Sequence, residues 1–199
     1  MDPMKRHDVC VRGAGIVGRS LALSLARLGL RVALVAEPAA PARADVRAYA
    51  LNAASVELLR GLKVWDAMPA HAATAVHEMH VEGDATGVIE FSAWQQQVAE
   101  LAWITDAALL EQALEAAVRY APHVTVVHAP VEADLTAVCE GKASAGRDEL
   151  GVVFDRQEYG HRAIAARLGQ RPHERVAPAR RRRARRNCSP WTPPPSRPR

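Results

Sequence analysis

Three glycines and one carboxylate carry the chemistry that is legible first. They are the run Gly13-Ala14-Gly15-Ile16-Val17-Gly18 and Glu37, which follows 19 residues after the last glycine. In such a run the first glycine permits a tight turn, the second lets a bound group approach the backbone, and the third lets a helix pack closely. Unpaired amide N–H groups at a helix start, with the helix dipole behind them, favour an anion. A carboxylate at the distance of Glu37 is placed to accept hydrogen bonds from ribose hydroxyls. The pattern predicts a site for the ADP half of a dinucleotide, with the pyrophosphate on the glycine loop. The competing reading is a glycine-rich helix start that packs on a sheet and holds no ligand.

Flanking elements decide whether the loop can be presented in that way. Val9-Cys10-Val11 is a short apolar run before it, and Val32 to Ala36 is another after it. Between them Val17, Leu21, Leu25 and Leu28 fall on one helical face. Strand, turn, helix, strand is the order of a βαβ unit. Arg12 is out of keeping, because the end of a buried strand ordinarily carries a small or apolar residue.

Further along, a loop with two prolines follows Glu37, and a helix is predicted from Ala53 to Gly61 with Leu58, Leu59 and Leu62 buried and Ser55 as its N-cap. Residues 76–94 change to a period of two. Met79 and Val81 alternate with Glu78, His80 and Glu82, a turn falls at 83–87, and Ile89 and Phe91 alternate with Glu90 and Ser92. That pattern predicts a β-hairpin with one buried face. Asp106 is placed to cap an amphipathic helix that carries Leu109, Leu110, Ala113, Leu114, Ala117 and Val118 on one side and ends at Pro122. Residues 123–128 are expected to form another parallel strand and 135–139 an extended segment leading into Glu140-Gly141. Residues 161–168 suit either strand or helix. Trp94 and Tyr159 are expected to line the core or a groove. His77 and His80 lack a third ligand at a suitable spacing, so no metal site is predicted.

The charge is unevenly spread. The chain has 199 residues, 49% of them hydrophobic, which is a globular composition. Residues 171–199 carry a net charge of +9 and residues 1–170 one of −5, so the basic character belongs to the tail. That tail is arginine- and proline-rich without apolar periodicity and is predicted to be disordered. Nucleic-acid binding through it is an alternative reading, but aromatic interleaving is confined to Trp191 and no binding motif is present, so no nucleic-acid partner is expected. Cys10, Cys139 and Cys188 are widely spaced and odd in number, as expected of free thiols in a reducing compartment. No apolar run of transmembrane length is present, and a cytoplasmic chain is expected.

Several stretches, taken in order, resemble the FAD-dependent aromatic-ring hydroxylases of ubiquinone biosynthesis, relatives of p-hydroxybenzoate hydroxylase. They are the glycine run with its helix to Gly29, Arg47-Ala48-x-Ala50-Leu51, Ser55-x-x-Leu58-Leu59 with Val64-Trp65, and Met79-His80-Val81 with Ile89-x-Phe91. They continue with Trp103-Ile104-x-Asp106 ahead of Leu110-x-x-Ala113-Leu114, then Glu140-Gly141-x-x-Ser144-x-x-Arg147, then Tyr159-Gly160-His161. The resemblance covers about residues 8–168. It implies an α/β fold, a Rossmann-like FAD-binding βαβ fold with a parallel sheet, plus a fragment of an antiparallel-sheet substrate domain. Residues 1–75 and 98–150 would be the FAD-binding part, 76–97 and 151–170 the substrate-domain fragment, and 171–199 the tail.

By that resemblance Gly13, Ala14, Gly15, Ile16, Val17 and Gly18 hold the FAD pyrophosphate, Glu37 the adenosine ribose, and Arg47 lies near the flavin end or the phosphates. Glu140 and Gly141 stand where the family has Asp-Gly near the pyrophosphate, and Ala108 where many relatives carry an arginine. The implied activity is an NAD(P)H-dependent monooxygenase acting on a small aromatic substrate, a polyprenylated phenol or quinol. A ubiquinone-biosynthesis complex and a location at the inner face of the membrane are implied with it. No catalytic residue is assigned, and an NAD(P)-binding Rossmann reductase domain is the alternative. The family's second flavin motif is not matched, Gly83-Asp84 falling in the hairpin turn. The arginine-proline tail has the composition of a shifted GC-rich reading frame, so a truncated or frameshifted copy of weak or no activity is expected.

Overall fold

The computed structural model of the chain describes residues 7–36, 45–82, 87–142 and 144–153, with 155, 157 and 160. Glu37, Tyr159, the segment 161–168 and the tail lie outside these residues. The chain opens with strand β1 (His7–Arg12), helix α1 (Ile16–Arg27) and strand β2 (Val32–Val35). Strand β3 (Ala48–Leu51) and helix α2 (Ala53–Gly61) follow, then two short 3-10 turns and strand β4 (Ala73–Val76). Strands β5 (Glu78–Glu82), β6 (Val88–Ser92) and β7 (Ala102–Asp106) lead to helix α3 (Ala107–Arg119). Strands β8 (Val124–Val127) and β9 (Ala133–Val138) and the short helix α4 (Ala145–Glu149) complete the described chain.

Four strands form a parallel sheet in the order β8-β2-β1-β9. Val9 pairs with Val32 and Val11 with Leu34, and on the other side of β1 Val11 pairs with Ala137. All of β1 from Val9 to Val11 is buried, as expected of a strand covered on both faces. The expected parallel strand after Pro122 is β8, paired with β2, and the extended segment before Glu140 is β9. Helix α1 packs on β1 and β2 and beside α3, whose Leu110, Leu114 and Val118 complete the core with Val32, Leu34, Leu59 and Val64.

The buried side of α1 differs from the one its leucines suggest. Gly18, Ala22 and Ala26, four residues apart, are buried with Ser20 and Leu23, while Val17 and Leu28 are exposed. Small residues on that stripe let the helix backbone come close to its neighbours. Leu21 and Leu25 pack only partly buried at the flank.

Helix α2 has the predicted bounds, but Val56 and Leu59 are its buried positions and Leu58 is exposed. Its N-cap is Asn52, whose side chain accepts from the Ser55 amide, so Ser55 sits inside the helix rather than at its cap. Asp106 caps α3 as expected, its Oδ1 accepting from the amides of Ala108 and Leu109.

Two antiparallel sheets accompany the parallel one. The hairpin β5–β6 forms as predicted, with Met79 opposite Phe91 and Val81 opposite Ile89. Its expected buried face is corrected by the structure: both strands are exposed almost throughout, because the hairpin pairs only with itself among the described residues. Trp94, just beyond it, is 87% exposed rather than lining a core. The three-stranded sheet β3-β7-β4 was not anticipated. Its strands are four or five residues long and two are rich in alanine, which has little β preference of its own. It sets Trp103 edge-on to Trp65 at 5.4 Å between ring centroids.

Candidate functional site

Open parallel sheets present ligands at the carboxyl ends of their strands, and a cavity of about 470 Å³ lies there in this chain. Arg12, Gly13 and Gly15 border it at the end of β1 and Val35 at the end of β2. His128 and Pro130 follow β8, and Cys139, Glu140 and Gly141 follow β9, with Ala145 of α4 closing the wall. A second hollow of about 530 Å³ lies between α1 and α3, is largely apolar, and is bordered by none of the predicted cofactor-binding residues.

Each glycine of the loop meets a different steric demand. Gly13 has φ +104°, and a Cβ there would stand 2.6 Å from the Cys139 carbonyl oxygen. A Cβ on Gly18 would collide with the Gly13 carbonyl oxygen. Gly15 has an ordinary φ of −74° and nothing within 4 Å of a Cβ position, so it is the glycine that faces open space. It is also the N-cap of α1, with no side-chain cap among the described residues and no acid in the first turn of the helix. Ala14 and Ile16 pack against the core instead, and Val17 is exposed outside the cavity.

The opposite wall is an ionic brace. Glu140 Oε2 accepts from Ser144 Oγ at 2.8 Å and from the Gly146 amide at 2.6 Å, while Oε1 meets Arg12 Nε at 2.7 Å. Ser144 Oγ in turn accepts from the Arg147 amide and caps α4. The Gly146 amide, the Ser144 hydroxyl and the Arg12 guanidinium hold the Glu140 carboxyl below its ordinary 4.5. Arg12 also donates from Nη1 to Glu149 Oε2 at 2.6 Å, which lowers the Glu149 carboxyl too. Burial pushes the Cys139 thiol up, so it is a packing residue here rather than a thiolate.

The sequence-predicted residues are therefore brought together in part. Gly13, Gly15, Glu140 and Gly141 share the cavity, with Gly18 directly behind the loop. Arg47 does not border it: its largely exposed guanidinium is 2.7 Å from Asp45 and lies over the Tyr49 ring. Glu37 lies outside the described residues. Sequence reading marked Arg12 only as an oddity and did not find Glu149. An arginine closing the apolar run Val9-Cys10-Val11 was the available signal for a carboxylate partner.

A family model described as FAD binding domain matches residues 6–121. The chain belongs to this FAD-binding family. It is similar, at 36% identity over 124 residues, to 3-demethoxyubiquinol 3-hydroxylase of Escherichia coli K12, covering 60% of this chain and 32% of that relative. It is 29% identical over 120 residues to an uncharacterized Synechocystis protein, slr1300, covering 60% of this chain and 29% of that one. The chain thus spans about a third of the length of these relatives.

Solved structures agree on the fold. p-Nitrophenol 4-monooxygenase PnpA of Pseudomonas putida superposes with a TM-score of 0.62 at 17% identity, covering 75% of this chain and 45% of that one. PqsL of Pseudomonas aeruginosa, a probable FAD-dependent monooxygenase, gives 0.60 at 20% identity, with 78% and 48% covered. The architecture is that of the N-terminal part of FAD-dependent monooxygenases, as the resemblance implied.

Proposed function

We propose that this chain binds FAD, with the ADP half on the Gly13–Gly18 loop, and serves flavin-dependent hydroxylation of an aromatic ring. The observation that carries the reading is the loop itself. Gly15 leaves an unfilled space at the start of an uncapped helix, at the carboxyl ends of four parallel strands. The residues present fit a diphosphate there: any side chain at Gly15 would enter that space, and the α1 amides supply donors. In this reading Gly13, Gly15 and Gly18 with their neighbours hold the pyrophosphate and Glu37 the ribose. Glu140 and Gly141 form the facing wall, and Arg47 serves the flavin end.

Bound FAD would supply the redox and oxygen chemistry, with NAD(P)H as reductant. The chain's own residues bind and orient it and hold charge at the cavity wall. The substrate class is taken from the Escherichia coli relative, named for a ubiquinol substrate: a polyprenylated phenol or quinol, handled in the cytoplasm at the membrane's inner face with other enzymes of that synthesis. Among the described residues no helix is long and apolar enough to cross a membrane, so the proposed attachment is peripheral.

The absorption spectrum of the purified chain tests the reading. Bands of bound flavin, with FAD released on heating, support it. A colourless protein that FAD cannot reconstitute, but whose tryptophan fluorescence NADH quenches, would replace it with a nicotinamide-binding reductase domain.

A further inference from the structure

β1 is apolar from Val9 to Val11 and then ends on Arg12, whose side chain is only 18% exposed. Its guanidinium lies against Gly146, where a Cβ would stand 3.1 Å from both Cζ and Nη1. The position of the cation is therefore held by backbone as well as by charge. It borders the same cavity as Gly13 and Gly15.

Its two carboxylate partners are held very differently. Glu140 is 17% exposed and fixed by Ser144 Oγ and the Gly146 amide in addition to Arg12 Nε. Glu149 is 61% exposed, and its two oxygens accept from Arg12 Nη1 at 2.6 Å and Nη2 at 3.4 Å. An exposed ion pair of that kind is easily exchanged, since water solvates the released carboxylate. The three side chains together carry a net −1 beside the loop, the wrong sign for a diphosphate. A guanidinium fork that fits a carboxylate fits phosphate oxygens equally well.

Resting on the dinucleotide reading above, we propose that Arg12 is a phosphate-binding residue and that Glu149 is its built-in competitor. In the free chain Glu149 occupies the terminal nitrogens of the guanidinium. When nucleotide binds, those nitrogens pass to a phosphate oxygen, while the Nε contact to Glu140 stays and keeps the guanidinium in place. Glu149 thereby sets how tightly the anionic part of the ligand is held.

The test titrates ADP into the full chain by calorimetry at fixed low salt, with Glu149→Gln, Arg12→Gln and the double variant alongside. Glu149→Gln is expected to bind ADP about tenfold tighter and Arg12→Gln about tenfold weaker. The double variant should bind no tighter than Arg12→Gln alone, and adenosine, which has no phosphate, should bind wild type and Glu149→Gln equally. Circular dichroism checks folding; should Arg12→Gln fail to fold, Arg12→Lys replaces it, keeping the charge and losing the fork.

Unchanged ADP affinity in Glu149→Gln, with wild type binding, overturns the competitor role alone. So does a full gain that persists in the double variant, which would be general repulsion rather than competition for Arg12. Absence of ADP binding in every chain overturns the dinucleotide reading, and this inference with it.

Discussion

The glycine loop and the β5–β6 hairpin are both short, and both are legible from residue spacing, yet they end in opposite circumstances. The loop is closely packed at Gly13 and Gly18: Cys139 stands against Gly13, the Gly13 carbonyl against Gly18, and the Arg12–Glu140 pair spans the facing wall. The hairpin presents Met79, Val81, Ile89 and Phe91 on one face, each more than 40% exposed, while His80 on the other face is paired with Glu82 and Glu90. Periodicity specifies which face of an element is apolar. It does not specify what covers that face.

Substitutions should separate the two regions sharply. Leu114→Ala, at a fully buried side chain of the core that α1 and α3 share, is expected to cost about 2–5 kcal/mol in urea unfolding. Gly18→Ala should cost about 3 kcal/mol, because the new methyl meets backbone that cannot give way. Gly15→Ala is the contrasting case. It should cost about 1 kcal/mol or less, since its φ is ordinary and the space is open, but it should weaken ADP binding at least about tenfold by filling that space.

The brace should show in acid. Glu140→Ala removes an acceptor from Ser144, Gly146 and Arg12 and is expected to cost about 2 kcal/mol at neutral pH. The folded-state carboxyl lies below its ordinary 4.5, so its contribution is fully present above that pH and is lost as pH falls through the depressed folded value. The stability gap between wild type and Glu140→Ala should therefore narrow as pH falls below 4.5, as thermal melts across pH 3–7 would reveal. Phe91→Ala should be the mildest, within about 0.5 kcal/mol, because the ring is already 43% exposed. A cost above about 2 kcal/mol there would mean that the hairpin face is covered in solution, and the comparison would fail at that point.

Much of the site's scaffold was legible because it is decided locally. The glycine spacing, the flanking strands, the Asp106 cap and the bounds of α2 each depend on residues within a few positions of one another. The parts that were not legible are settled over long distances. Arg12 and Glu149 lie 137 residues apart and meet only once β9 pairs with β1. The burial of α1 follows its small residues rather than its leucines, because close approach to the sheet governs which side turns inward. The β3-β7-β4 sheet rests on pairing between short segments, two of them alanine-rich, whose own composition does not announce strands. The hydrogen bonds of Glu140 were likewise not legible. The residue borders the cavity, but its oxygens brace the wall rather than point free.

The most direct test of the loop as the diphosphate grip is an amide NMR titration of the full chain with ADP. Saturable shifts concentrated at Gly13 to Gly18, with the hairpin amides of Glu78–Ser92 unmoved, are the result expected. Unperturbed loop amides, or shifts centred on the hairpin, would contradict it.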